Sequence, residues 1–325
     1  MCTALTWRII VLLSLAGTSA GQVASFQNPI SGFVYLSGSR SLRPILGVTG
    51  AMALGPVLPV RAEFASVAPG GTWGLIRRGH STEFLNALST LSPMASPAPG
   101  LIEDVDRVAW SPDGRCAVLY SSALGKLQRV QVSGGTVAAD PAVDVSFTSA
   151  VAALAIDLTG TTVAVGITGS EGSGVYLLRV GSALERIGSL ANPAALTFDQ
   201  YGRLYVADLE SERIWAFDNG AGFEFAEISA PGGGSLNPVG MAVAGNGQFL
   251  VLAESTTNTV RVYDIGSRGL TQTIALDLTP RQLEPLSSAS TFLLNSNYSR
   301  EWLMILDARQ TPVVSFVPAI REDVQ

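Results

Sequence analysis

The chain has 325 residues, 47% of them hydrophobic, and its 26 acidic residues outnumber its 20 lysines and arginines, which gives a net charge of −6. An acidic surface repels phosphate backbones, so this charge disfavours nucleic acids as partners. A single histidine, His80, excludes any metal site built from several histidines.

The first twenty residues predict a secretory signal peptide rather than part of a fold. Arg8 precedes the apolar run 9–16, and residues 18–20 are small, as signal peptidase requires. The run is shorter than the about 20 residues that a membrane-spanning helix needs. We therefore expect cleavage after Ala20, a secreted or periplasmic location, and one mature domain over 21–325. An uncleaved N-terminal anchor is the alternative.

A four-residue turn recurs along the rest of the chain. Its last positions lie 43, 46, 42, 45 and 43 residues apart, and most copies end in glycine, which permits a positive φ. Aspartates in three copies, Asp113, Asp157 and Asp199, are expected to accept hydrogen bonds from the turn's own amides. The six copies cover 68–71, 111–114, 157–160, 199–202, 244–247 and, without glycine, 287–290.

Strand-like runs flank each turn. The runs 194–198 and 203–207 are almost continuously apolar, as expected of strands covered on both faces. A second pair follows in each repeat, for example 213–217, where polar and apolar residues alternate more. Cys116 lies in one of the apolar runs, which favours a buried, unreactive thiol. Three prolines between 89 and 100 predict an outer-edge strand or a surface loop there.

This period and these short strands are typical of a β-propeller, in which each repeat is one four-stranded blade. The runs 33–36 and 43–46 resemble an outer pair with no inner pair before it. We therefore predict an all-β propeller of seven blades, one of them reduced. We expect the ring to close by pairing strands from both termini within one blade. Six blades with an N-terminal extension are the alternative.

Two segments resemble known repeat families. The segment 202–208, followed by 213–217, resembles the core of an NHL repeat, and 110–115 resembles the repeat of the TolB-type and WD-like β-propellers. This resemblance implies a propeller scaffold acting outside the cytoplasm. It does not specify a subfamily or an activity.

Polar residues after the second strand of each blade form the candidate site. Arg77 and Arg78 suit an anion, with His80 beside them, although a solvated loop is the alternative. When the repeats are superposed, Asp208, Glu254 and Asn295 take corresponding places at the ends of second strands in three consecutive blades.

A divalent cation bound by those three residues is the only cofactor that the sequence suggests. Their oxygens suit a divalent cation such as Ca²⁺. They also resemble the metal site of gluconolactonase-like propellers, which implies a bound ion that polarises a lactone carbonyl. Polar capping of strand ends that face water is the alternative.

The sequence favours a binding role over catalysis, because no catalytic motif accompanies the repeats. We predict an exported, monomeric binding module that docks a protein or a small molecule on the face carrying Arg77, Arg78, His80, Asp208, Glu254 and Asn295. We predict no membrane span and no nucleic-acid partner. A metal-dependent hydrolase or lactonase is the alternative.

Overall fold

The computed structural model describes residues 29–145, 150–169, 172–228, 236–288, 290–296 and 302–318. Within these residues, 28 strands form seven antiparallel sheets that stand as blades around a ring, which confirms the predicted seven-bladed propeller. Two single-turn 3-10 helices, Leu88–Thr90 and Gly245–Gly247, interrupt them. No helix in this part of the chain is long and apolar enough to cross a membrane.

The strands follow the chain order, blade by blade. The first three blades comprise β1 (Ile30–Leu36), β2 (Ser41–Val48) and β3 (Ala51–Leu54); β4 (Phe64–Val67), β5 (Gly74–Arg78), β6 (Ser81–Asn86) and β7 (Met94–Pro97); and β8 (Arg107–Trp110), β9 (Cys116–Ser121), β10 (Lys126–Ser133), β11 (Thr136–Ala139) and β12 (Val143–Asp144). The next two comprise β13 (Ala150–Ile156), β14 (Thr162–Thr168), β15 (Gly174–Arg179) and β16 (Glu185–Gly188); and β17 (Pro193–Phe198), β18 (Leu204–Asp208), β19 (Arg213–Asp218) and β20 (Ala221–Glu227). The last two comprise β21 (Pro238–Ala244), β22 (Phe249–Glu254), β23 (Thr259–Asp264) and β24 (Gly269–Ala275); and β25 (Glu284–Pro285), β26 (Thr291–Leu293), β27 (Leu303–Asp307) and β28 (Val313–Val317).

The core lies between the blades, and this explains the continuous apolar runs. In β18, Leu204 and Val206 pack in the cluster shared with the fourth blade, whereas Tyr205 and Ala207 pack in the cluster shared with the sixth. Successive side chains of a strand point to opposite faces, so a second strand between two neighbours is apolar at every position. The described residues form seven such clusters, one between each pair of adjacent blades.

The recurring turn joins the first two strands of a blade and defines one face of the ring, the turn face. Its aspartates have the predicted structural role. Asp157 Oδ1 accepts hydrogen bonds from the amides of Thr161 at 2.8 Å and Thr162 at 3.1 Å. Asp113 and Asp199 also accept amides of their own turns. The opposite face, the loop face, carries the turns between second and third strands and the connections between blades.

The first blade has three strands in the described residues, and they take the outer three positions. The turn after β1 lies at the loop face, because the Ala62 amide donates to Arg40 O at 3.3 Å just before β4 begins there. The turn after β2 lies at the turn face, where Arg309 of the seventh blade donates to Thr49 Oγ1 at 3.3 Å. The prediction of a reduced blade is confirmed for the described residues, but the runs 33–36 and 43–46 belong to its second and third strands rather than to an outer pair.

The ring does not close as expected within the described residues. No strand from the C-terminal part pairs with β1, β2 or β3, because β28 is the fourth strand of the seventh blade itself. Apolar packing of Val34 and Ile45 against Leu293 and Ile305 joins the first and seventh blades, and the Ser287 amide adds a hydrogen bond to Ser31 O at 3.1 Å. The predicted pairing of both termini in one blade is therefore wrong for this part of the chain.

The reduced first blade brings the second and seventh blades together at the centre. The Gly70 amide in the second blade donates to Leu286 O in the seventh at 3.3 Å. Their first strands, β4 and β25, are therefore neighbours at the channel. The segment 89–100 is predicted to form an outer-edge strand or a surface loop, and the first of these is confirmed. It supplies β7, the outermost strand of the second blade.

Candidate functional site

Asp208 and Glu254 end the second strands of the fifth and sixth blades, where the sequence places them, and both are buried. Asp208 Oδ1 accepts the Asn192 amide at 2.7 Å, and its Oδ2 accepts the amide and the hydroxyl of Ser211 at 3.0 and 2.6 Å. Asn192 belongs to the connection that enters the blade. The carboxylate thus links this connection to the turn that leaves β18.

Glu254 repeats this arrangement one blade further. Its Oε1 accepts the amides of Asn237 and Thr256, and its Oε2 accepts the amide and the hydroxyl of Thr257, both at 2.6 Å. Burial alone would raise the pKa of Glu254. The hydroxyl of Thr257 and the three amides outweigh that effect and hold the pKa of Glu254 below its ordinary value.

Asn295 does not correspond to these two carboxylates. In the strand pairing, Thr291 takes the place of Phe249, since each is paired with the aspartate that ends the third strand of its blade. Glu254 lies five residues after Phe249, so the residue that corresponds to it is Ser296, five residues after Thr291. Asn295 lies one residue earlier, and its side chain therefore points to the opposite face of the strand from that of Glu254. Asn295 Oδ1 accepts the Met304 amide at 2.7 Å. Its Nδ2 donates to a backbone carbonyl at 2.9 Å.

The predicted cation ligands therefore do not fit a Ca²⁺ site as they stand. A cation at Asp208 or Glu254 would compete with the backbone and hydroxyl donors that each carboxylate already holds. In the described ranges, no three histidine, cysteine, aspartate or glutamate side chains are grouped in a way that could hold a metal ion.

Arg77, Arg78 and His80 lie together at the loop face of the second blade, and each lies beside a carboxylate. Arg78 Nη1 lies 2.9 Å from Glu83 Oε2, and Arg77 Nη1 lies 4.0 Å from Asp104 Oδ1. His80 Nδ1 lies 2.8 Å from Asp104 Oδ1, although the imidazole is 82% exposed. These carboxylates compete with any anion that the two arginines would bind.

The central channel contains a cavity of about 610 Å³. All seven blades line it: Tyr35 reaches it from the first, and the innermost strands of the other six supply most of the rest. Its walls are mainly Ala, Val, Leu and aromatic side chains. Arg107 and Glu284 are the only charged residues among the described residues that line it.

Six of these lining residues share one register position, two residues before the turn that ends the innermost strand. We call them the inner ring. Each is paired with the second strand of its blade in the same way. Five are small and the sixth is glutamate: Ser66, Ala109, Ala155, Thr197, Ala242 and Glu284.

Glu284 is the carboxylate of the inner ring. It is half-buried, and Gln282 Nε2 donates to its Oε2 at 3.1 Å. Burial in the apolar channel raises the pKa of Glu284 to about 7, because removing a carboxylate from water disfavours its charged form. Glu284 thus differs from Glu254, whose four donors outweigh the effect of burial.

Arg107 lies nearer the loop face than the inner ring, by two residues along its strand. Its Nη1 donates to Val151 O at 2.6 Å and to Ala152 O at 2.9 Å. Both carbonyls belong to a β-bulge in β13, between Val151 and Ala153, where one residue is left out of the pairing. The guanidinium is therefore held against the fourth blade.

Sequence reasoning missed Glu284. The signal lies in the register of the sixth turn, which lacks glycine. Strand pairing places the start of this turn at Leu286, one residue before the position inferred from the sequence, because Leu286 N donates to Thr291 O as Ala68 N does to Trp73 O. With that correction, Glu284 aligns with small residues in every other complete blade.

No protein-family model matches the chain, and no curated protein matches it. Solved structures do. A protein from Lactobacillus plantarum is 16% identical with a TM-score of 0.65, over 90% of this chain and 97% of that one. A candidate 6-phosphogluconolactonase from Bacteroides fragilis is 10% identical with a TM-score of 0.63, over 89% and 95%. Kuenenia stuttgartiensis hydrazine synthase is 12% identical with a TM-score of 0.59, over 92% and 98%. These similarities show the propeller fold alone.

Proposed function

We propose that this chain is an exported binding protein that holds a small, largely apolar ligand in its central channel. The cavity of about 610 Å³, lined by all seven blades, is the observation that carries the proposal. Small-molecule sites are concave and mostly apolar, with a few polar groups that fix the orientation of the ligand. This cavity has that composition.

The position of the cavity supports binding without rearrangement. Its walls are the innermost strands, each paired along one edge with a buried second strand. Such walls are more rigid than loops, so little conformational entropy is lost when a ligand enters. Export rests on the N-terminal sequence, which lies outside the described residues.

A metal-dependent hydrolase is the alternative. The protein from Bacteroides fragilis shares the fold, but Asp208 and Glu254 here accept hydrogen bonds from their own blades rather than presenting unpaired oxygens. A catalytic cation at either carboxylate would have to compete with those donors. The geometry therefore favours binding over catalysis.

Nile red, a neutral dye that fluoresces in apolar surroundings, tests the proposal. We expect saturable binding to the wild type and at least about tenfold weaker binding to Ala242→Phe, which places a phenyl ring on the inner ring. Ala221→Phe, the same change at an exposed position of β20, is the matched control and should bind like the wild type. Equal affinity in all three proteins would contradict a ligand site in the channel.

A further inference from the structure

The carboxylate of Glu284 lowers the stability of the fold, so its presence in the channel needs an explanation. Five corresponding positions of the inner ring carry small, uncharged side chains, so the propeller does not need a carboxylate there. Taking a carboxylate out of water without full compensation is unfavourable. A charged group retained in such a place is therefore a candidate for recognition of a ligand.

The carboxylate of Glu284 has capacity for a further partner. Gln282 supplies the one hydrogen bond that Glu284 receives from the described residues, and it is made to Oε2. An ionised carboxylate can accept about four hydrogen bonds. Oε1 is therefore available to a donor that enters the channel.

The charges around Glu284 favour a cation. The cavity-lining residues of the neighbouring strands β4, β21 and β26 are all uncharged. Tyr35 and Arg107 are the other titratable groups among the described lining residues, and the Arg107 guanidinium is held against the fourth blade by two carbonyls of β13 rather than paired with Glu284. The part of the channel at Glu284 therefore has an uncompensated negative charge above neutral pH.

Aromatic surface lies at the same level of the channel. Trp110 Nε1 donates to Ser66 Oγ at 2.9 Å, which holds the indole beside the inner ring. Ser66 belongs to β4, the strand next to β25 at the centre. Phe64 lines the same wall. Aromatic faces attract organic cations and also pack against apolar groups.

We infer that the channel binds a small organic amine, with its ammonium group on the carboxylate of Glu284 and its apolar body against the aromatic wall. This inference rests on the proposed function, because it names the ligand class of the same cavity. It commits to a protonated amine rather than to a neutral or an anionic ligand of the same shape.

Displacement of Nile red by three ligands of one shape tests it: 4-phenylbutylamine, 4-phenylbutanol and 4-phenylbutyrate, at pH 8. We expect the amine to bind at least about tenfold more tightly than the alcohol, because its hydrogen bond to Glu284 is charge-assisted. The butyrate should bind most weakly of the three. Glu284→Gln should remove the advantage of the amine over the alcohol. Glu210→Gln, an exposed acid at the loop face, should change neither.

The outcomes separate the two proposals. Equal affinity for amine and alcohol, or an amine advantage that survives in Glu284→Gln, overturns the amine inference and leaves a channel site for apolar ligands. Tighter binding of the butyrate also overturns it and points to Arg107. Failure of all three ligands to displace Nile red, with Nile red bound equally by Ala242→Phe, overturns both. At pH 5, where Glu284 is protonated, the advantage of the amine should disappear.

Discussion

Glu284→Gln should make the stability of the protein less dependent on pH. Burial raises the pKa of Glu284 from 4.5 to about 7. Between these values the folded protein holds a proton that the unfolded chain releases, so the free energy of unfolding falls as the pH rises through this window and stays reduced above it. The full shift corresponds to about 3 kcal/mol. Since Glu284 is only half-buried in an open channel, solvent screening reduces this to about 1–2 kcal/mol.

Urea unfolding at pH 4.5, 6, 7 and 8, followed by tryptophan fluorescence, measures the effect. The variant and the wild type should be equally stable at pH 4.5, and the variant should be more stable by about 1–2 kcal/mol at pH 8. Glu210→Gln controls for the loss of one acidic charge and should follow the wild type. Parallel pH profiles for the wild type and Glu284→Gln would refute the assignment of a raised pKa to this residue.

Three further changes test the fold and the loop face. Glu254→Gln should lower the free energy of unfolding by about 1–3 kcal/mol at pH 7, because a buried amide cannot satisfy all four donors; the loss should shrink below pH 4.5, where the lowered pKa no longer stabilises the wild type. Millimolar Ca²⁺ should leave the melting temperature unchanged, and a rise that is lost in Asp208→Asn would instead confirm the cation site. Gly160→Ala should destabilise the protein more than Gly202→Ala. Both glycines have positive φ, but only at Gly160 would a Cβ collide with Cys116. Thermal melts of the two variants measure the difference.

The sequence predicts the blades well because their signals are local. A turn with glycine near its end and an apolar run on each side need only neighbouring residues to be recognised, and β17, β18 and β19 lie within about one residue of the runs that predict them. The reduced first blade follows from the same signals. Closure of the ring does not, because it depends on packing between residues such as Val34 and Ile305, more than 250 positions apart.

The site is less predictable because it depends on register. The sixth turn lacks the glycine that marks the other five, and the sequence places it one residue too late. That single residue is enough to hide Glu284, which then falls out of line with the small residues at the corresponding positions of the other complete blades. A shift of one residue moves a side chain to the opposite face of its strand, so a register error changes every residue assigned to the site.

Hydrogen bonding distinguishes Glu284 from three buried carboxylates of this propeller. Asp157, Asp208 and Glu254 each receive three or more hydrogen bonds from their own blade, so their charge stabilises turns and connections. Glu284 receives one such bond from the described residues and lies where the other blades have small side chains. A carboxylate that the fold has already satisfied has little to gain from a ligand. Glu284 has much more to gain, and for that reason the channel, rather than the loop face, is where recognition is expected.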